Sequence, residues 1–398
     1  MTDLVKIEKK IREVFSAKLK NISTHLESGS NKGDGYAGVI IRALVVGDED
    51  GVQKKYDVIA KCVPSNLDIR KVMPITGAFK REYLFYEKIV PYYLKIQNQL
   101  NIPEESRLVL PEYYSGSDEY GSEFLILNNL KPLGYAMIIC PDAVDYEHTA
   151  LTLRALGKFH AVSVAFKEQY PTEFKNIIPE LTRDVLYESY NEYNTSGVVY
   201  YADKSYEKFL DNIKNSELKQ RVMKAIGPNL SLKIQSFYLA GNKKIISHGD
   251  CWFNNMMFKY QDGRPVGHVL LDFQILRYTS MANDLMTFMG VAGEKKLRTN
   301  FWQLMDVYYD SFCEYMTILK FDPQKFCTKE QFYDEVKGQL IFGLGMKIFA
   351  MPFFKSGEIL NPFELFSKIY PESFFRHSED YVRCVNETVE YYVEIGSI

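Results

Sequence analysis

The sequence predicts an α+β chain of two lobes, a small β-rich N-terminal lobe with one main helix and a large, mostly helical C-terminal lobe. Three observations carry this. Residues 22 to 63 and 107 to 130 are rich in β-branched and aromatic residues with turn signals between them. A helical spacing of apolar residues separates those two stretches, and it returns from about residue 148 onward. The helical half carries one hairpin signal, "QDGRP", between two short apolar runs.

In chain order, "MTDLVKIEKKIREVFSAKLK" reads as an amphipathic helix, and "NISTHLES", "YAGVIIRALVVG" and "KYDVIAKCVP" as a meander with "DEDG" as one turn. "TGAFKREYLFYEKIVPYYLKI" sets Phe79, Tyr83, Tyr86, Ile89 and Val90 at helical spacing, with Pro91 expected to limit or kink the helix. "RLVLPEYYSGS" and "SEFLILNNL" read as two further strands. "HTALTLRALGKFHAVSVAF" opens the helical part. Helices broken by Pro171, Pro179, Gly197 and "GPN" at 227–229 follow, with more at 300–350 and 378–395. "KKIIS", "NMMFKY" and "VGHVLLDF" are the short strands of the hairpin region. The expected lobes are 1–130 and 131–398, with a connector near 128–134. This plan suggests a nucleotide-dependent transferase, although a fold plan alone does not fix an activity.

With 398 residues and 46% apolar composition, the chain can bury a large core. A net charge of −3 with dispersed Lys and Arg argues against nucleic acid as a partner. Cys62, Cys140, Cys251, Cys313, Cys327 and Cys384 form no CxxC pair, so reduced thiols in a cytoplasmic protein are expected, and neither a zinc site nor a disulfide framework. The N-terminus shows no secretory pattern and no apolar run reaches the roughly 20 residues that span a bilayer, so no membrane insertion is expected.

The chemistry concentrates in residues 248–272. Phosphoryl transfer needs a carboxylate beside the acceptor hydroxyl and oxygen ligands for a divalent cation on the nucleotide. Asp250 opens a loop after a strand, Asn255 stands five positions later, and Asp272 ends the next hairpin strand. A hairpin can fold these three together as one base and a two-residue Mg²⁺ site. Each alone is more commonly an Asx-turn or strand-capping residue. Their combination is not.

"HGDCWFNN" with "LLDFQ" resembles the ecdysteroid kinase-like family, within the aminoglycoside phosphotransferase and choline kinase superfamily, whose fold is protein-kinase-like. The resemblance implies ATP and Mg²⁺ as cofactors, Asp250 as the residue that positions or deprotonates the acceptor hydroxyl, and Asn255 and Asp272 as metal ligands. It implies that His248 braces the loop and that Asp284, in "MANDLMTFM", holds the loop's backbone. In the first lobe it puts Lys61 on nucleotide phosphates, paired with Glu82, for which Glu87 is the alternative. Gly33, Asp34 and Gly35 of "GSNKGDGYAG" would approach phosphate by backbone amides. Leu127, Asn128 and Asn129 of the connector would meet adenine, with Asn128 and Asn129 replacing the family's Glu-Asp. Gly38 replaces a serine and Met281 a proline of the family pattern.

The expected reaction is transfer of the ATP γ-phosphoryl group to a hydroxyl of a lipophilic alcohol, an ecdysteroid or a dietary compound, in hormone inactivation or detoxification. Trp252 and Tyr278 are the acceptor-site candidates. Only twelve positions separate Asp272 from Asp284, with no Ala-Pro-Glu segment, which disfavours a peptide acceptor. The alternatives are a non-catalytic pseudokinase that binds a ligand or protein, and a kinase for a choline-like amino alcohol.

Overall fold

The computed structural model describes residues 3–29, 39–63, 70, 75–138, 144–183, 197–292, 299–355 and 378–398. Gly33, Asp34, Gly35, Gly38 and Cys140 lie outside the described residues.

Helix α1 (Asp3–Ser16) packs Ile7, Ile11 and Phe15 onto one face of a five-stranded antiparallel sheet. The sheet contains β1 (Lys20–Ser28), β2 (Val39–Glu49), β3 (Val52–Cys62), β4 (Tyr113–Ser117) and β5 (Phe124–Asn128), in the order β1-β2-β3-β5-β4. Because strand side chains alternate, Ile41, Ala43 and Val45 on β2 and Val58, Ala60 and Cys62 on β3 fill that core, and Lys61 faces the other way. Asp50 (φ 50°) and Gly51 (φ 82°) form the two-residue turn between β2 and β3, the geometry that an Asp-Gly hairpin favours.

Helix α2 (Ile75–Leu84) runs through a wide π turn at Phe85–Ile89 into α3 (Val90–Gln99). Pro91 neither stops the helix nor breaks it. Lacking an N–H, it sits in the first turn of α3, where no such donor is needed, and the π turn just before it takes up the irregularity. The expected strand at 107–117 is shorter than its sequence suggests. Only Tyr113–Ser117 pairs, because the Leu108 amide donates to side chains, Gln97 Oε1 at 3.0 Å and Tyr315 Oη at 3.2 Å, instead of to a neighbouring strand.

The rest is mostly helix: α4 (Tyr146–Gln169), α5 (Pro171–Thr182), α6 (Gly197–Asp211), α7 (Ser216–Ile226), α8 (Leu230–Leu239), α9 (Ala282–Ala292), α10 (Phe301–Ile318), α11 (Lys329–Lys355) and α12 (Glu379–Glu394). Pro171 starts α5 while Pro179 is carried inside it. Glycines permit the tightest helix crossings. A Cβ on Gly157 of α4 would lie 2.9 Å from the Phe312 amide of α10, and one on Gly290 of α9 would lie 2.5 Å from the Gly343 carbonyl of α11.

Two small β units are set into this lobe. A three-stranded sheet is ordered β6-β8-β9, from β6 (Tyr135–Met137), β8 (Met256–Gln261) and β9 (Arg264–Leu270). A two-stranded ribbon joins β7 (Lys244–Ser247) to β10 (Arg277–Ser280). Asp262 and Gly263 make the β8–β9 turn with φ of 50° and 77°. No described helix is long and apolar enough to cross a membrane.

Candidate active site

The loop from His248 to Asn255 runs between β7 and β8, and its shape begins with Gly249. At φ 81°, a Cβ there would fall 1.8 Å from the Ile275 carbonyl oxygen, so only glycine lets the loop approach the 271–276 segment. Asp284, fully buried on α9, accepts the backbone N–H of His248 at 2.6 Å and of Gly249 at 2.8 Å. Burial alone would raise its pKa, but the hydrogen bond and electrostatic pull of His160, with the Gly249 amide, outweigh it and hold the carboxylate low.

His248 is a second brace. Its Nε2 lies 2.8 Å from the Leu271 carbonyl, which can only accept, so that nitrogen carries the proton. Its Nδ1 then accepts the Asp250 amide at 3.3 Å. Burial pushes its pKa down, in keeping with this neutral tautomer. One ring thereby connects the Asp250 loop to the residue before Asp272.

A 3₁₀ turn at Phe253–Asn255 carries Asn255 back over the loop, where its Nδ2 donates to Asp250 Oδ2 at 2.8 Å and to the Asp250 carbonyl at 3.0 Å. The Leu271 amide donates to the Asn255 carbonyl at 2.8 Å. Asp272 stands two residues beyond the end of β9, not on the strand, in the left-handed region at φ 62°. Desolvation, followed by the like charge of Asp272, pushes Asp250 up to about 7, against hydrogen bonds from Asn255 and Trp252.

From the other lobe, Lys61 Nζ reaches Glu82 Oε2 at 2.7 Å and Asp272 Oδ1 at 2.9 Å. Burial works to lower the lysine's pKa, but the two carboxylates outweigh it and the ammonium stays charged. Glu82 responds in the opposite sense, since near-complete burial and the Asp272 charge push it up against the pull of Lys61. The lysine's direction decides the state of the cluster, because one ammonium lies between two carboxylates. Glu87 is engaged elsewhere, accepting the Tyr113 hydroxyl at 2.7 Å. A stack of Phe85 on Phe273, with centroids 3.8 Å apart, adds an apolar contact between the lobes directly after Asp272.

The connector asparagines look inward. Asn128 Oδ1 accepts the Glu112 amide at 2.8 Å, and Asn129 bonds Asp57 Oδ1 through Nδ2 at 2.8 Å and the Lys131 amide through Oδ1 at 3.1 Å. Their own amides donate to the Glu112 and Asp57 carbonyls. Leu127 is paired on both sides, with Ile59 and Tyr113.

The two acceptor candidates part company. Trp252 lies beside Asp250 and faces Phe253 and Phe354, centroids 5.6 and 6.4 Å away. Tyr278 on β10 points to α4 and α5, with its hydroxyl 3.2 Å from Lys167 Nζ and its ring against Phe174. Tyr278 pairs with Ile246 of β7, whose backbone amide donates to Ser163 Oγ of α4 at 2.8 Å, so this ribbon lies against α4.

One functional neighbour escaped the sequence reading. His160, fully buried on α4, sets Nε2 3.0 Å from Asp284 and Nδ1 2.7 Å from the Tyr308 hydroxyl. A lone histidine within the apolar run "GKFHAVSVAF" was the available signal. No group of three or more His, Cys, Asp or Glu among the described residues could hold a metal. The carboxamide of Asn255 and the carboxylate of Asp272 are hard oxygen donors, and two such ligands suit Mg²⁺, which keeps waters and takes its other ligands from phosphate.

Residues 32–321 match the ecdysteroid kinase-like family. No curated protein matches the chain. Of the similar solved structures, a GDP complex of a mutant aminoglycoside 2'-phosphotransferase-IIIa is 12% identical, with a TM-score of 0.49 over 98% of this chain and 99% of that one. An aminoglycoside phosphotransferase from Alicyclobacillus acidocaldarius is 12% identical, with a TM-score of 0.41 over 94% and 95% of the two chains. The family match spans well over half of the sequence, and the chain belongs to the ecdysteroid kinase-like family.

Proposed function

We propose that this member of the ecdysteroid kinase-like family is a small-molecule kinase that transfers the γ-phosphoryl group of ATP to a hydroxyl of a lipophilic alcohol. One observation carries the reading. A single hydrogen-bonded unit holds Asp250, Asn255 and Asp272 together, and Lys61 reaches it from the opposite lobe.

In this reading Asp250 orients the acceptor hydroxyl and takes its proton, a task suited to a carboxylate poised near neutrality by its surroundings. Asn255 and Asp272 would hold Mg²⁺, which when bound neutralises charge on the phosphate oxygens. Lys61 meets those oxygens, and Glu82 keeps the lysine aimed at them. With the amides of Asn128 and Asn129 committed, adenine contacts at the connector fall to carbonyl oxygens or to a later amide. Trp252 and Phe354 form an aromatic wall near Asp250 that suits an apolar acceptor such as a steroid. Phosphorylation would add roughly −1.5 to −2 charges and trap such an alcohol in water, the step shared by hormone inactivation and detoxification. A cytoplasmic setting fits the free thiols of Cys251, Cys313, Cys327 and Cys384.

The test is incubation of the full chain with Mg-ATP and steroid, phenolic glycoside and amino-alcohol acceptors, with products read by mass spectrometry. A phosphorylated steroid or glycoside is the expected result. Phosphorylation of amino alcohols alone would overturn the lipophilic acceptor, and ATP binding without any product would overturn the kinase.

A further inference from the structure

Arg81 is the residue before Glu82, and it is nearly as buried, at 4% exposure. A surface arginine on a helix of the small lobe would ordinarily keep its guanidinium in water. Here it is drawn inward to the far end of α5 in the large lobe. Its Nη2 donates to the Arg183 carbonyl at 2.9 Å and, closer still, to the Glu180 carbonyl.

These are not arbitrary acceptors. Helix α5 ends at Thr182, and Arg183 is its C-cap with an extended backbone, so the oxygens of its last turn have no further helical amide to accept from. The C-terminal end of a helix also carries a partial negative charge, and a guanidinium fits it in both charge and donor geometry. Helix α5 is itself anchored along its length, since Phe174, Ile177 and, in the last turn, Leu181 are buried in the large core. The cation therefore grips a fixed part of the large lobe.

The consequence falls on the neighbouring residue. Successive helical side chains diverge by about 100°, so α2 can send Arg81 to α5 and Glu82 to Lys61 only at one rotation and one distance from the large lobe. We propose that Arg81 is a positioning residue for the phosphate-side lysine, an inter-lobe latch that caps α5 and so holds α2 where Glu82 meets Lys61. The proposal rests on the reading of Lys61 as a nucleotide-binding residue, but the latch itself does not. In a latched chain the Lys61–Glu82 pair forms without an activating partner, and Mg-ATP meets a lysine already aimed.

Two measurements on the full chain separate the latch from the reading it supports. Amide hydrogen exchange of the nucleotide-free protein should show residues 75–84 exchanging faster in Arg81→Met, with the Asp250 loop unchanged. In the second, Mg-ATP affinity is measured for wild type, Arg81→Met, Glu82→Gln and the double variant. Arg81→Met should weaken binding roughly tenfold, the scale of a lost charge-assisted hydrogen bond, and should add little once Glu82 is gone. Arg81→Lys should restore part of the loss.

Unchanged exchange in 75–84 would overturn the latch, and so would fully additive losses in the double variant, because both describe an arginine that only stabilises the fold. If wild type binds no Mg-ATP, the kinase reading fails on its own terms. Hydrogen exchange then still decides whether Arg81 holds α2.

Discussion

The loop around Asp250 and the pair Lys61–Glu82 are both buried and both charged, yet they are held by different means. The loop is fixed through its backbone. Asp284 takes two amides, His248 a third, and Asn255 closes the turn, all within one lobe. Lys61 and Glu82 are fixed through side chains, and their surroundings include Asp272 and α5 from the opposite lobe. Backbone bracing gives a position that varies little, whereas an ion pair spanning two lobes follows the distance between them. In the proposed reaction, proton transfer calls for the first kind of support, and a nucleotide that enters and leaves calls for the second.

The largest effect should come from breaking the rigid side at its chemical group. Asp250→Asn keeps the shape and the oxygen that Asn255 meets but removes the proposed base, so kcat should fall by about 10²–10⁴-fold, with Mg-ATP affinity nearly unchanged in an equilibrium titration. Full activity in this variant would remove Asp250 from the chemistry.

Next comes the brace beneath it. Asp284→Ala leaves two buried amides and His160 without their acceptor and should cost about 3–5 kcal/mol in denaturant unfolding. The pH dependence has a definite sign. A carboxylate held low in the folded state contributes stability above the ordinary carboxylate range and loses it as pH falls, so the variant should show a shallower acid limb than wild type. An equally steep limb would show that other carboxylates dominate acid unfolding.

On the adjustable side the expected effect is smaller and falls on binding. Asp272→Ala removes one proposed Mg²⁺ ligand and one of the two carboxylates on Lys61, so Mg-ATP affinity should drop by roughly 10–100-fold, while affinity for ATP without metal changes little. Equal losses with and without Mg²⁺ would point to loop collapse instead.

Much of this was readable in the sequence, for a physical reason. The "HGDCWFNN" stretch and the Asp-Gly hairpin turn concentrate their information in neighbouring residues, and the hairpin closes that span onto itself. Lys61 was readable from its strand, whereas Glu82 was preferred over Glu87 only through the resemblance of Phe79, Glu82 and Tyr86 to the family pattern. What escaped depends on contacts distant in sequence. His160 is 124 positions from Asp284 and Arg81 is 102 from Arg183, and neither spacing leaves a local pattern. The direction of Tyr278, an acceptor candidate, was not legible, because its strand face turns it toward α4 and α5. The strand expected at 107–117 was shortened by Gln97 and Tyr315, a tertiary choice over local β preference.

The smallest effect tests the connector, where this chain has two asparagines in place of the family's Glu-Asp. Asn129 Nδ2 donates to Asp57 Oδ1, and Asp57 is already bound by the Arg42 guanidinium at 2.9 and 2.5 Å. An amide belongs at 129 because the opposite position on β3 is a carboxylate. Asn129→Asp would put two carboxylates face to face and should lower stability by about 1 kcal/mol, leaving Mg-ATP affinity within about twofold because the side chain faces the sheet. Asp57→Asn in the same chain should return most of that loss, although it weakens the tie to Arg42. Asn128→Asp should be nearly silent, since the group at 128 only accepts the Glu112 amide and a carboxylate accepts as well. A large change in nucleotide affinity from either connector variant would mean that these side chains turn outward when the base binds, and the connector would then belong with the adjustable half of the site.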